Sequence, residues 1–329
     1  MKRCLGLVVF LLAYSLLFQP GSTLARDYEQ RVEKSFRVKE GGTLHLISDQ
    51  GSVEVQTHAT EEVEVAALLK ANTSSKDRAE EWFEEFELSF DHRNGDVEIR
   101  GEWRRGWVKK RNRLRVHFKC RVPKNYDLHI DTAGGGIRVD DLVGEVKLLT
   151  SGGSISMGKI DGAVQAETSG GSISLDRCTS RAFAHTSGGN ITLGDIGGPV
   201  DAKTSGGSIA VDGVDGDLEA YTSGGDLRLR NISGNLRART SGGSIRAELL
   251  KQIDSPVSLR TSGGSIILET PPNLKADLDA STSGGQVVTD VPITMKGSIN
   301  PSSVQGELNG GGPLITLRTS GGSIEIREK

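Results

Sequence analysis

The segment between Arg100 and Arg121 concentrates side chains that could bind an anion: ten basic residues and two tryptophans against a single acid, Glu102. Basic side chains interleaved with aromatic rings can contact anionic glycans, lipid headgroups or nucleic acid. An alternative is a solvated hairpin that faces the acidic residues of a neighbouring helix, and we favour this interpretation. The candidate residues for an anionic partner are Trp103, Arg104, Arg105, Trp107, Lys109, Lys110, Arg111 and Arg113.

Catalytic and metal-binding patterns are weaker. Carboxylates that cleave glycosidic bonds must cluster on one face of a protein. Asp176 and Asp212 hold equivalent positions of an 18-residue repeat, but they lie two repeats apart, and Asp161 and Asp215 hold equivalent positions three repeats apart. We interpret these acids as solvated turn residues. The six histidines show no metal-ligand spacing, and no Ser-His-Asp or Cys-His arrangement can be assigned. The sequence therefore predicts no catalytic residue, no metal and no cofactor.

A repeated tetrad, Thr-Ser-Gly-Gly, organises most of the remaining chain. Its copies begin 18 residues apart up to Thr240, then 21 apart up to Thr282, and the last copy follows after 37 residues. This last interval predicts one degenerate coil, so that about ten coils follow Thr132. The copies begin at Thr150, Thr168, Thr186, Thr204, Thr222, Thr240, Thr261, Thr282 and Thr319, with Thr132-Ala-Gly-Gly preceding them in phase.

Aliphatic and polar residues alternate within each repeat. In the repeat that begins at Thr150, the apolar positions are Ile155, Met157, Ile160, Val164 and Ala166. One repeat cannot bury its own apolar face, whereas stacked repeats bury it and pair every strand with its copies above and below. The pattern predicts an all-β fold, a parallel β-solenoid with 18 residues per coil. Most parallel crossovers are right-handed, so we expect a right-handed coil.

The tetrad is predicted to form a corner of the coil. Glycine permits backbone angles that a Cβ forbids, and threonines that point inward at equivalent positions could form hydrogen-bonded ladders. A row of backbone amides that binds anions is the functional alternative. The corner residues are Thr150, Gly152, Gly153, Thr168, Gly170, Gly171, Thr186, Gly188, Gly189, Thr204, Gly206 and Gly207.

Three segments are predicted along the chain. Residues 1–25 have the basic start, apolar run and small terminal residues of a signal peptide, and an uncleaved membrane anchor is the alternative. Residues 26–124 are predicted to form a β-rich cap with one short helix over residues 75–86, and residues 125–329 the solenoid. Residues 323–329 would then be its edge strand. Charges there discourage pairing, although end-to-end self-association with a second copy stays open.

The composition of the chain argues against some kinds of binding partner. The formal net charge of −3 argues against nucleic acid or an anionic membrane as a partner of the whole chain. No apolar stretch after residue 25 is long enough to span a membrane. Cys120 and Cys178 both occupy apolar strand positions, so we predict two buried structural thiols, with a disulfide as the alternative.

The repeats Thr150-Ser-Gly-Gly-Ser-Ile155 and Thr168-Ser-Gly-Gly-Ser-Ile173 resemble those of the bacterial putative-adhesin domain family, a domain family of unknown function. Gly51-Ser-Val-Glu-Val55 and the Val122-Pro123 pair before Tyr126 also match that family. The resemblance covers nearly all residues after the first 25. It implies a β-solenoid in the cell envelope or outside the cell, and it brings no catalytic signature.

We therefore expect a non-enzymatic exported protein that is periplasmic, secreted or on the cell surface. It would be an adhesin or binding module that contacts a surface glycan or an envelope protein through outward solenoid positions. A structural stalk or scaffold of the envelope is the first alternative. A polysaccharide-active β-helix enzyme is the second, and the scattered carboxylates disfavour it.

Overall fold

The computed structural model of the chain describes residues 28–104, 113–249, 251–295 and 300–329. The segment interpreted as a signal peptide, residues 1–25, lies outside the described residues. The described residues form thirty strands and one helix.

The elements before the first complete tetrad include the only helix of the described residues. In chain order they are β1 (Tyr28–Arg37), β2 (Thr43–Ser48), β3 (Ser52–His58), β4 (Glu62–Ala71), α1 (Lys76–Glu85), β5 (Phe86–Arg93), β6 (Asp96–Trp103), β7 (Leu114–Pro123), β8 (Asp127–Thr132), β9 (Ile137–Val139), β10 (Leu142–Val143) and β11 (Val146–Thr150).

The remaining strands follow the repeats. They are β12 (Ile155–Asp161), β13 (Val164–Thr168), β14 (Ile173–Cys178), β15 (Ala182–Thr186), β16 (Ile191–Ile196), β17 (Val200–Lys203), β18 (Ile209–Val214), β19 (Leu218–Tyr221), β20 (Leu227–Arg230), β21 (Leu236–Arg239), β22 (Ile245–Glu248), β23 (Val257–Arg260), β24 (Ile266–Thr270), β25 (Ala276–Thr282), β26 (Val287–Thr289), β27 (Ile293–Met295), β28 (Ser303–Leu308), β29 (Leu314–Thr319) and β30 (Ile324–Glu328).

Two long sheets share one hydrophobic core. Sheet A has the spatial order β1-β4-β7-β3-β9-β12-β14-β16-β18-β20-β22-β24-β30-β26, with β10 beside β12. Sheet B has the order β27-β28-β25-β29-β23-β21-β19-β17-β15-β13-β11-β8-β2-β6-β5. Each repeat adds one strand to each sheet, so that one coil of the chain forms one layer.

The repeats stack in phase. In sheet A, Ile155 pairs with Ile137 on one side and Ile173 on the other. In sheet B, Thr150 pairs in the same way with Thr132 and Thr168. The predicted parallel β-solenoid is therefore confirmed. From Thr132 onward, the described residues contribute ten such layers to sheet A.

The two-residue period of the repeat buries one face of every strand. In the repeat at Thr150, the aliphatic residues of the alternation are all buried between the sheets. Burying one large aliphatic side chain contributes about 1.5–3 kcal/mol. Because every coil repeats this small set, the core is thin and continuous, and it needs few aromatic residues.

The N-terminal strands continue the solenoid and then close its end. β2 pairs in parallel with β8, and β3 pairs in parallel with β9, so these strands form a further layer of the two sheets. β6 and β7 add one more parallel layer, on β2 and β3. Beyond it the pairing turns antiparallel, with β4 on β7, β1 on β4 and β5 on β6. Helix α1 packs here through Ala79 and Trp82, and the Ser75 side chain accepts a hydrogen bond from the Arg78 N–H at its start.

The C-terminal end differs from the prediction in two ways. The segment between Thr282 and Thr319 is not a degenerate coil, because β28 pairs antiparallel with both β25 and β27. β27 is the edge strand of sheet B at this end. The last strand is not an edge strand either: β30 lies between β24 and β26, and β29 lies between β23 and β25. The chain thus skips one layer, forms the layer beyond it, and returns to fill the gap.

Truncation after Gly312 removes β29 and β30 from the interior of the stack. We expect a lower midpoint of thermal unfolding and fast amide exchange in β26, because β30 is the strand partner of β26 among the described residues. The measurement is hydrogen exchange read by mass spectrometry. As a control of similar size, deletion of residues 187–204 removes one complete 18-residue repeat and leaves neighbouring coils able to stack. Slow exchange of β26 in the truncated chain would contradict the assigned layer order.

Candidate functional site

The hydroxyl groups of the corner threonines form hydrogen bonds between coils. Thr168 is buried, and its Oγ1 donates to the Gly153 carbonyl of the preceding coil at 2.8 Å. The same Oγ1 accepts from the Gly171 N–H at 3.3 Å. Equivalent bonds to the carbonyl of the neighbouring coil, between 2.7 and 3.0 Å, are made by Thr132, Thr150, Thr186, Thr204, Thr222, Thr240, Thr261, Thr282 and Thr319.

The second glycine of the pair is required, but not for the turn geometry that the sequence analysis predicted. Among the corner glycines of the tetrad coils, only Gly135 of the first coil has a left-handed backbone, with φ +112°. The second glycine of each pair instead lies against the coil below. A Cβ on Gly171 would stand 2.1 Å from the Gly153 carbonyl oxygen, whereas one on Gly170 would keep an ordinary 3.5 Å from the Gly152 oxygen. Close approach of stacked backbones, not turn geometry, therefore excludes a side chain.

A second ladder runs through the residue after the glycines. The Ser154 Oγ accepts from the Ser172 N–H of the next coil at 3.1 Å, and Asn190 Oδ1 accepts from the Ser208 N–H at 2.8 Å. Asp226 Oδ1 takes the same place and accepts from Ser244 at 2.8 Å. Serine, asparagine and aspartate interchange here because each supplies a short side-chain acceptor.

The turn carboxylates also bond within the fold. Asp141 accepts from the Lys159 N–H at 2.8 Å, and Thr179 Oγ1 donates to Asp161 at 2.6 Å. The Asn235 backbone N–H, together with its side-chain amide, lowers the pKa of the exposed Asp217 carboxyl. Within the described residues, no three His, Cys, Asp or Glu side chains form a group that could hold a metal ion. These acids accept hydrogen bonds from the neighbouring coil and stabilise the turns.

The structure separates the residues of the basic segment. The Trp103 ring is buried and packs edge-on against Phe86, with ring centroids 5.2 Å apart. The sequence analysis named Trp103 as a candidate for ligand binding, but a buried ring is not available to a ligand. Arg104 Nε lies 3.3 Å from a Glu87 carboxylate oxygen, and the Arg113 guanidinium lies over the Trp82 ring at 5.7 Å. The other candidates, Arg105, Trp107, Lys109, Lys110 and Arg111, lie outside the described residues.

Both cysteines are free and buried, as predicted. Burial raises the pKa of the Cys120 thiol to about 12. Burial also raises the pKa of Cys178, whose Sγ donates to the Gly162 carbonyl at 2.9 Å. Because the reactive form of cysteine is the thiolate, both side chains act as packing residues.

The outward face of sheet B carries a groove of about 810 Å³, and Phe183 and Asp201 are among the residues that line it. The Phe183 and His185 rings lie against each other with centroids 3.7 Å apart. Asp201 lies 3.1 Å from His185 Nε2 and accepts from Lys203 Nζ at 2.7 Å. An aromatic ring beside ordered charges can hold a ligand that has both an apolar face and polar groups.

The repeat pattern alone does not single out these outward residues. Phe183 and Asp201 fall at the sixteenth position of the repeat, and His185 and Lys203 at the eighteenth. Residues at the same position pair across neighbouring layers of sheet B. Aligning the repeats at those positions brings them into two rows that run along the solenoid. The rows change composition from coil to coil, while the inward rows stay nearly constant.

A family model described as Toastrack DUF4097 matches residues 43–327. No curated protein matches the chain. In the described residues, no helix is long and apolar enough to cross a membrane.

Several solved structures are similar. A putative cell adhesion protein from Clostridium sporogenes ATCC 15579 is 11% identical, with 91% of this chain and 100% of that chain covered and a TM-score of 0.25. A putative adhesin from Bacteroides fragilis NCTC 9343 is 10% identical, with 91% and 97% covered and a TM-score of 0.33. A putative adhesin from Parabacteroides distasonis ATCC 8503 is 9% identical, with 91% and 97% covered and a TM-score of 0.31.

The contrast between the two corner glycines can be measured. We expect Gly171→Ala to lower the free energy of unfolding by about 1–3 kcal/mol, because the new methyl group overlaps the backbone of the coil below. Gly170→Ala adds the same group where it finds ordinary contact distance, so its effect should be small. Urea denaturation of both variants makes the comparison. Equal destabilisation by the two substitutions would show that close backbone approach is not the constraint.

Proposed function

The chain belongs to the Toastrack DUF4097 family, and we propose that it is a non-enzymatic binding module of the bacterial cell envelope or surface. It is exported, with residues 1–25 as its signal peptide, and acts in the periplasm, on the cell surface or as a secreted protein. Its ligand, a surface glycan or an envelope protein, binds to outward positions of the solenoid.

The observation that carries this proposal is the division of each coil into two sets of residues. Corner threonines, glycines and the acceptor row are used within the fold. The outward rows are not needed for stacking, yet they form ordered contacts such as the Phe183, His185, Asp201 and Lys203 cluster. A rod that served only as a spacer would need the first set alone.

The placement of the carboxylates supports a non-enzymatic role. Glycoside hydrolysis uses two carboxyl groups that flank one bond. Among the described residues, Asp161 and Asp215 each take a hydroxyl hydrogen bond from the next coil, and Asp212 lies 3.6 Å from Arg230. These contacts stabilise neighbouring layers, and Asp161 stands three coils away from Asp215.

A scaffold role leads to a different expectation, because a spacer would depend on the number of coils and not on outward side chains. The binding module depends on the side chains of one flank. The two functions can therefore be distinguished by substitutions that leave every inward position intact.

Replacing Phe183, His185 and Asp201 together by alanine should weaken binding of the exported protein to native envelope fractions by roughly tenfold or more, because it removes the aromatic face and the ordered charges at once. The matched control replaces Thr192, Asp176 and Arg228, three exposed residues of sheet A, by alanine. Both proteins should retain the wild-type unfolding temperature. Bound fractions are measured by cosedimentation.

Two results would contradict the proposal. One is absence of envelope binding by the wild-type protein. The other is equal binding by the wild type and both triple variants, which would favour the scaffold.

A further inference from the structure

The outward row of sheet B that contains Lys203 carries an aromatic residue and several cations on consecutive layers. Lys203 pairs with Tyr221, Tyr221 with Arg239, and Arg239 with Arg260, all in parallel register. Arg318 follows on the next layer, through the pairing of β23 with β29. Because neighbouring strands lie about 4.8 Å apart, the row places one such side chain at each step along the solenoid axis.

The central residues of this row are exposed, and their charges are not neutralised. The Tyr221 side chain is one of three large hydrophobic residues that are exposed in the described part of the chain. Lys203 and Arg318 have carboxylate partners, Asp201 and Asp279. Within the described residues, neither Arg239 nor Arg260 has a carboxylate at ion-pairing distance, and the hydrogen bond of Arg260 goes to the neutral Ser258 hydroxyl at 3.4 Å.

These residues line a groove of about 440 Å³ on the outward face of sheet B. Its wall contains four cations, Lys203, Arg237, Arg239 and Arg260, against one carboxylate, Glu219. Arg237 pairs with that carboxylate at 3.2 Å. A local excess of positive charge thus remains on a chain whose formal net charge is −3.

We infer that this groove, formed around Tyr221, Arg239 and Arg260, binds a linear polyuronate, a polysaccharide with a carboxylate on each sugar. The inference rests on the proposed function and names its ligand class. The planar guanidinium group binds a carboxylate through two parallel hydrogen bonds. Arg239 and Arg260 lie one layer apart, so they meet carboxylates on nearby sugars of a chain that follows the axis, while the Tyr221 ring packs on a sugar face.

The composition of the groove favours this ligand over other polyanions. Nucleic acid is usually bound by several stacked aromatic rings and a dense positive field, whereas this groove offers one aromatic ring and two uncompensated cations. Anchoring in a lipid surface needs a continuous apolar face. The other large exposed hydrophobic residues of the described chain, Val288 and Leu314, do not line the groove.

The test measures binding of the full exported protein to polygalacturonate oligomers by calorimetry. The double variant Arg239→Gln with Arg260→Gln should lose roughly tenfold or more in affinity, because each substitution removes a charge-assisted hydrogen-bonding pair. Tyr221→Ala should lose affinity while Tyr221→Phe keeps most of it. The matched control is the double variant Arg138→Gln with Arg228→Gln, two exposed arginines on sheet A, which makes the same change of charge.

The outcomes separate this site from the wider proposal. Wild-type affinity in the Arg239→Gln, Arg260→Gln variant, or an equal loss in the Arg138→Gln, Arg228→Gln control, would overturn the site. Equal binding of polyphosphate through the same arginines would overturn the assignment to a polyuronate. If polygalacturonate does not bind but native envelope still does, this inference fails and the proposed function stands.

Discussion

The hydrogen bond from each corner threonine to the glycine carbonyl of the neighbouring coil is the interaction on which the rest of the structure depends. It can form only because the second glycine has no side chain, which lets successive backbones approach to a distance that a Cβ would block. Each bond satisfies a buried hydroxyl and a corner carbonyl together. The in-phase stacking of aliphatic residues, and with it the thin core, follows from this fixed corner.

The same constraint explains where the molecule can bind. Corner threonines, the acceptor row and turn carboxylates such as Asp141 have partners in adjacent coils. What remains are the outward rows, in which chemistry can change from layer to layer without a cost to stacking. On sheet B these rows hold two adjoining surfaces that share Lys203, the Phe183 and His185 cluster and the groove around Tyr221 and Arg239. A regular solenoid thereby provides a rigid support for outward side chains that differ from layer to layer.

Much of this architecture could be predicted from the sequence, since identical residues at one repeat position must stack on each other, as Ile155 does on Ile137. The order of the last layers could not. Every tetrad coil offers the same donors and acceptors, and Thr319 bonds to Gly264 as well as it would to any other corner. The cause of the glycine requirement needed backbone distances. The uncompensated charge of Arg239, beside the paired Arg237 on the same strand, needed side-chain positions.

The central claim is that binding uses the outward face of sheet B and leaves the corner to the fold. Hydroxyl-radical footprinting of the exported protein, with and without native envelope, tests it directly because the method reports the exposure of individual side chains. We predict protection of Phe183 and Tyr221 and unchanged labelling of Ile267 and Val288, which lie on sheet A. Protection confined to sheet A, or no protection along the solenoid while the protein is bound, would contradict the account.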